Sequence, residues 1–218
     1  MARRNLVVLA GFGLALVLPV AVHGQYNPPP WWNHDDGRTT SYCWQFSDPS
    51  NPLKPDLEMN PFGTWQGSVG GATSWHNSIA GHDGVVGVGP QETGDLGFWI
   101  PNRRIPKNIK HCWLQVDFYE TNGSDVSLLL DSEAGSNIMG YNEVDEALGN
   151  GWYRATVTWQ IKPQPNWESF TFTFAGSNAN GAYIDNLYFG TQCVPEPASI
   201  LVASLGLAAM ALRRRRSA

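Results

Sequence analysis

From Tyr42 to Gly190, apolar and polar residues alternate in short runs, and the dominant period is two. In "KHCWLQVDFYE", Cys112, Leu114, Val116 and Phe118 share one face, while His111, Gln115 and Asp117 share the other. Side chains point alternately to the two faces of a strand, so this pattern predicts a half-buried strand. "GWYRATVTWQI" repeats it, with Tyr153, Ala155, Val157 and Trp159 set against Arg154, Thr156 and Thr158. "ESFTFTFAG" sets Phe170, Phe172 and Phe174 against Ser169, Thr171 and Thr173, residue types favoured on a pleated, half-buried surface. "YCWQF", "TWQGSV", "DVSLLLD" and "AYIDNLYFG" read the same way, and "LGFWI" (Leu96–Ile100) reads as a buried strand. The expectation is therefore about eight strands, with Trp44, Trp99 and Trp159 in the core.

The connections are uneven. "SDPSNPLKPDLEMNPFG" carries four prolines, residues 70–95 are glycine-rich and weakly periodic, and "TNG" at Thr121–Gly123 supplies a turn. "SEAGSNIMGYNEVDEALGNG" reads as a long connection with room for one helical turn near Asn142–Leu148. No long amphipathic helix interrupts the strands. Many short strands between Gly, Pro and Asn turns indicate an all-β sandwich or barrel. The irregular loops favour a jelly-roll-like antiparallel β-sandwich over an up-and-down barrel. The domain is expected over 42–193, after an irregular lead-in at 25–41. In that lead-in Trp31 and Trp32 either tuck against the sandwich or form an exposed aromatic platform.

Both ends break the pattern. Arg3 and Arg4 precede an apolar stretch from Leu6 to about Val22, which reads as an export signal over residues 1–24. Val22 and Gly24 are the small residues expected before a cleavage site, with Ala21 as the alternative. An uncleaved N-terminal anchor is the other reading. At the far end, "VPEPASILVASLGLAAMALRRRRSA" joins Pro195, Glu196 and Pro197 to the apolar run Ala198–Leu212 and then to Arg213, Arg214, Arg215 and Arg216. As a helix those fifteen residues would span about 22 Å, short of a full hydrocarbon crossing. Snorkelling arginines and flanking residues could close the gap. Arginines at both ends favour the cytoplasmic face, which puts the domain between them outside.

Trimming the ends changes the charge. The whole chain has 14 basic and 19 acidic residues, but the two ends hold six of the basic ones and only Glu196 of the acidic ones. Residues 25–193 therefore carry eight basic and eighteen acidic groups, a formal charge of −10. Such a domain is a poor partner for nucleic acid.

The C-terminal residues resemble the PEP-CTERM sorting signal of exported bacterial proteins: a Pro-Glu-Pro triplet, an apolar transmembrane run and an arginine cluster, in that order. The resemblance covers residues 194–218. It implies recognition and cutting by an exosortase-type processing enzyme, passage through the inner membrane of a Gram-negative bacterium with a transient anchor, and a destination at the cell surface or extracellular matrix. Exopolysaccharide is a common companion of such systems. In the middle domain, Ile184, Asp185, Asn186 and Leu187 resemble the closing strand of galactose-binding-like jelly rolls. Many of these bind carbohydrate, and many carry a structural calcium.

Candidate chemistry is thin. The three cysteines are Cys43, Cys112 and Cys193, an odd count in an exported protein. Cys43 and Cys193, near the first and last strands, are the expected disulfide, and Cys112 is expected to be a buried free thiol. A nucleophilic Cys112 would need a histidine, and His111 points to the opposite face. A glycosidase would need two converging carboxylates. Asp117, Glu120, Asp125, Asp131 and Asp185 are available near strand ends. Calcium needs six to eight oxygens. Asp83, Glu92 and Asp95, or Asp145 and Glu146, could contribute, though neither segment is a compact calcium loop. Among ten tryptophans, Trp31, Trp32, Trp152 and Trp167 are the candidate glycan contacts, because flat rings stack on sugars. No catalytic residue is assigned and no cofactor is implied. A non-enzymatic, exopolysaccharide-associated surface protein is expected; a secreted carbohydrate-active hydrolase on a jelly-roll scaffold is the alternative.

Overall fold

The computed structural model describes residues 28–33, 36–103 and 108–195. The export signal read at 1–24 and the residues of the sorting tail beyond Pro195 lie outside the described residues. Twelve strands follow one another: β1 (Thr39–Trp44), β2 (Leu57–Met59), β3 (Gln66–Gly71), β4 (Ser74–Ile79), β5 (His82–Val88), β6 (Thr93–Pro101), β7 (Asn108–Tyr119), β8 (Asp125–Ser132), β9 (Asn137–Gly149), β10 (Trp152–Lys162), β11 (Trp167–Ala175) and β12 (Ala182–Pro195). They form two antiparallel sheets. The larger, eight-stranded sheet has the order β2-β1-β12-β7-β10-β9, with the β4–β5 hairpin joining through β5 to β12. The smaller sheet has the order β3-β6-β11-β8.

The eight strands read from alternation are all present. Their apolar faces meet between the sheets: Leu114, Val116, Val157, Ile161 and Phe189 from one side, and Leu96, Phe98, Phe170, Phe172 and Phe174 from the other. Trp44 fills the gap, tilted on Phe98 at 4.6 Å, while its indole N–H donates to the Leu53 carbonyl at 2.8 Å. That bond spares the core an unpaired polar group. Each such ring contributes about 1.5–3 kcal/mol by leaving water.

Four strands were not legible. β4 and β5 turn at Ala80 and Gly81, both with positive φ, while Ile79 pairs with His82. This is the geometry of a two-residue type I′ hairpin, made here without the usual Asn-Gly. β2 has only three residues. β9 replaces the helical turn expected at Asn142–Leu148: these residues pair with β10 from Asn142↔Thr158 onward. It is an edge strand exposed on both faces, so no apolar alternation marks it. Its closing turn does use Asn-Gly, with positive φ at Asn150 and Gly151.

The expected Cys43–Cys193 disulfide does not form; all three cysteines are free and buried. β1 and β12 are neighbours, but Cys43 lies opposite Tyr188, five residues from Cys193 along β12. At strand rise that is about 17 Å, against the ~4.4–6.8 Å between α-carbons that a disulfide needs. The side chains also diverge. Cys43 packs with Trp113 and Tyr188 on the outer face, whereas Cys193 has the phase of the core residue Phe189. Cys112 is the buried thiol that alternation predicts, and burial pushes its pKa up. The expected transmembrane helix is not found either. Among the described residues no helix is long and apolar enough to cross a membrane, and the run 198–212 lies outside them.

Thiol counting on the unreduced, denatured protein is therefore expected to find three thiols per chain. Finding one would show that a disulfide had formed.

Candidate functional site: an aromatic platform

The outer face of the smaller sheet carries the phase opposite to its phenylalanines. β11 presents Trp167, Ser169 and Thr171 there, β6 presents Gly97 and Trp99, and β3 presents Gln66 and Ser68. The register sets Trp99 between Gln66 and Ser169, and Gly97 between Ser68 and Thr171. Trp167 sits one diagonal step from Trp99, and their rings lie 6.5 Å apart at 34°. Beside them is a depression of about 430 Å³, lined by Gln66, Ser68, Trp99, Ser169 and Thr171 over a floor at Gly97. A Cβ at Gly97 would stand 2.6 Å from Ser68 Oγ, so the missing side chain opens the floor.

The lining is neutral. Hydroxyls both donate and accept, and an amide does the same with two kinds of atom. Such a surface suits a polyhydroxylated ligand whose C–H face lies on indole. Asp95 and Asp131 flank it, Asp95 opposite Thr173 and Asp131 opposite Ser169. They are two strands and four residues apart, roughly 16 Å on sheet spacings. A retaining pair needs about 5–5.5 Å and an inverting pair about 6.5–9.5 Å.

Trp167 is thus the one candidate aromatic that joins this platform. Trp99, expected in the core, is its partner and faces outward. Alternation with Phe98 and Ile100 carried that signal, but "LGFWI" is apolar at four of five positions and reads as buried on both faces. Trp31 and Trp32 are half-buried on the outer face of the larger sheet. Trp31 packs edge-on to His111 at 5.3 Å, and Trp32 packs against Tyr188 at 5.9 Å. Trp152 must be corrected as a glycan contact. It is 1% exposed, stacks on His82 at 4.0 Å and donates to the Ile79 carbonyl.

Two of the candidate carboxylates do converge, on the outer face of the larger sheet. Arg154 donates twice to Asp117, at 2.6 and 2.9 Å, and His82 meets Asp185 at 2.9 Å. The Asn186 amide spans both, 3.2 Å from Asp117 and 2.8 Å from Asp185. The cause is a bulge. Between Asp185 and Tyr188 the register with β7 shifts, so Ile184 and Leu187 both reach the core with two residues between them. Asn186 takes a left-handed φ of 45°, which asparagine tolerates. The Ile-Asp-Asn-Leu signature therefore encodes a strand irregularity. Burial pushes the Asp185 carboxyl up, while His82 and Asn186 pull it down. With Asp117 and Asp185 buried and held by these partners, neither faces a cleft. Among the described residues no group of three or more His, Cys, Asp or Glu is placed to hold a metal ion. Glu92 instead accepts from the Gly89 N–H at 2.8 Å.

The family model of the PEP-CTERM protein-sorting motif matches residues 194–216. The chain carries that motif, which makes it an exported, surface-associated protein sorted by an exosortase-type system. No curated protein matches the chain. Among solved structures, the enzymatically active domain of tailspike protein 4 of bacteriophage CBA120 aligns at 16% identity and a TM-score of 0.39. The alignment covers 66% of this chain and 20% of that one, so the chain spans about a fifth of the tailspike domain's length.

Asp117 pairs with Arg154 and Asn186 while almost fully buried. Asp117→Ala is therefore expected to destabilise the domain by about 3–5 kcal/mol, since it removes one side of a buried ionic network. Urea unfolding checks this, and an unchanged midpoint would show the network to be dispensable.

Proposed function

We propose that this exported protein holds polysaccharide at the cell surface on the Trp99–Trp167 platform and does not cleave it. The observation that carries the reading is the tryptophan pair beside a neutral, hydroxyl-lined depression. The exported, surface-associated setting given by the sorting motif supplies the context in which exopolysaccharide is the ligand at hand. Two further features support binding over hydrolysis. The carboxylates flanking the platform are too far apart to share one glycosidic bond. The pair that does converge, Asp117 and Asp185, is buried and engaged. The sorting tail would be removed by an exosortase, leaving a domain that ends where β12 ends, near Pro195.

A fragment spanning 25–195, incubated with the producing strain's exopolysaccharide, is expected to bind without releasing reducing ends. Trp99→Ala or Trp167→Ala is each expected to weaken binding about tenfold, the equivalent of ~1.4 kcal/mol from one lost aromatic face. Release of reducing ends would establish the hydrolase alternative; unchanged binding by both variants would move the contact elsewhere.

The intact mass of the surface-located protein is expected to lack Arg213–Arg216. Their retention would overturn processing at the tail.

A further inference from the structure

At one end of the sandwich, Lys110, Asn102 and Glu168 form a closed ring of contacts inside the protein. Lys110 stands on β7 opposite Cys193 of β12 and Ile161 of β10. Its side chain is 0% exposed, and that of Glu168 is 1% exposed. Lys110 Nζ donates to Glu168 Oε1 at 2.5 Å and also to Asn102 Oδ1, while Asn102 Nδ2 donates to Glu168 Oε2. Asn102 follows directly after β6, and its backbone N–H is fixed on the Asn166 carbonyl at 2.6 Å. The surroundings are apolar: Ile100 lies opposite Glu168, and Ile161, Cys112 and Tyr42 are buried nearby.

An isolated buried ion pair is a poor stabiliser, because removing two charges from water costs more than their attraction returns unless the geometry is excellent. Here the third member of the ring is a carboxamide. It has an electrophilic carbon, and its oxygen accepts from an amine that is itself fully buried. Holding two reactants in one geometry is worth effective molarities of about 10⁵–10⁸ M. The carboxyl group touches both the attacking and the leaving nitrogen, where a proton carrier has to be.

We propose that Lys110 and Asn102 are joined by an amide bond between Lys110 Nζ and Asn102 Cγ, formed by the protein itself with Glu168 as the proton carrier. The ammonium first gives a proton to Glu168. The neutral Nζ then attacks Cγ. Through Glu168, a second proton passes from Nζ to Asn102 Nδ2, the Cγ–Nδ2 bond breaks, and one ammonia leaves. The products are a secondary amide, ammonia and a protonated Glu168, so atoms and charge balance and no oxidant or cofactor is consumed. Asn102 is only half-buried, at the rim of the sandwich, which gives the ammonia a way out. Burial independently pushes the Glu168 carboxyl up, in keeping with its ending protonated. The reaction replaces two buried charges with neutral groups, and this drives it. The product ties the end of β6 in one sheet to β7 in the other.

Trypsin cuts after Arg103, Arg104 and Lys107, so a digest separates Asn102 from Lys110 unless a side-chain bond joins them. Mass spectrometry of the denatured, digested full-chain protein is expected to show a branched peptide. Its two arms end at Arg103 and begin at Asn108, their joint mass is that of the two separate peptides less one ammonia, and there is no cleavage after Lys110. Lys110→Arg and Glu168→Gln are each expected to abolish the branched peptide and leave Asn102 as an intact amide. Wild-type protein that is cleaved after Lys110, with Asn102 either intact or hydrolysed to aspartate, would overturn the bond, whatever the variants do. A branched peptide at wild-type yield in Glu168→Gln would overturn the role given to Glu168.

Discussion

The two sheets are held together by a run of aromatic rings between them. Phe170 of the smaller sheet touches Phe98 beside it and both Trp44 and Phe189 across the gap. Rings of this size fill a sandwich about 10 Å deep from both sides at once. Everything outside the core follows from this. Once Phe170, Phe172 and Phe174 turn inward, Trp167, Ser169 and Thr171 must turn outward, because a strand has only two faces. The proposed glycan platform is thus the reverse side of the core, and its flatness is that of the sheet.

Charge is handled in two ways at two places in the same fold. On the outer face of the larger sheet, Asp117 and Asp185 are screened by Arg154, His82 and Asn186 around a bulge, under the cover of the β4–β5 hairpin. In the interior, Lys110 and Glu168 have only each other and Asn102. The first arrangement is a conventional polar network, stable because every carboxylate has donors. The second sets a buried amine and a buried acid against an amide at the rim, and such groups are reactive as well as costly. The same burial that would penalise a plain ion pair favours the uncharged amide product.

Much of this was legible from period two alone. The eight alternating strands, the antiparallel sandwich and the inward phenylalanines are all written as alternation, and the sorting motif is written as linear sequence. What escaped had specific causes. β9 is exposed on both faces, so it has no apolar side to announce it. The β4–β5 hairpin turns on Ala-Gly, outside the usual turn vocabulary. Cys43 and Cys193 are close in strand order but differ in both register and facing, and spacing along a chain shows neither. Trp99 was masked by apolar neighbours. Lys110 had a readable sign: it is in phase with Cys112 and Leu114, a cation on an apolar face. Its partners Asn102 and Glu168 come from two other strand ends, so only the folded structure brings them together.

The position of β12 has one more consequence. Its last residues, through Pro195, pair with β7 up to Asn108, and β1 runs along its other edge from Leu187 to Gln192. The sorting tail is therefore attached to an interior strand, flanked on both sides. Hydrogen bonds in an antiparallel ladder lie across the strand axis. A pull applied through the tail loads all of those rungs in shear together, rather than peeling them one at a time. Whatever grips the C-terminus during sorting therefore pulls along a strand paired on both edges, not on a free end of the sheet.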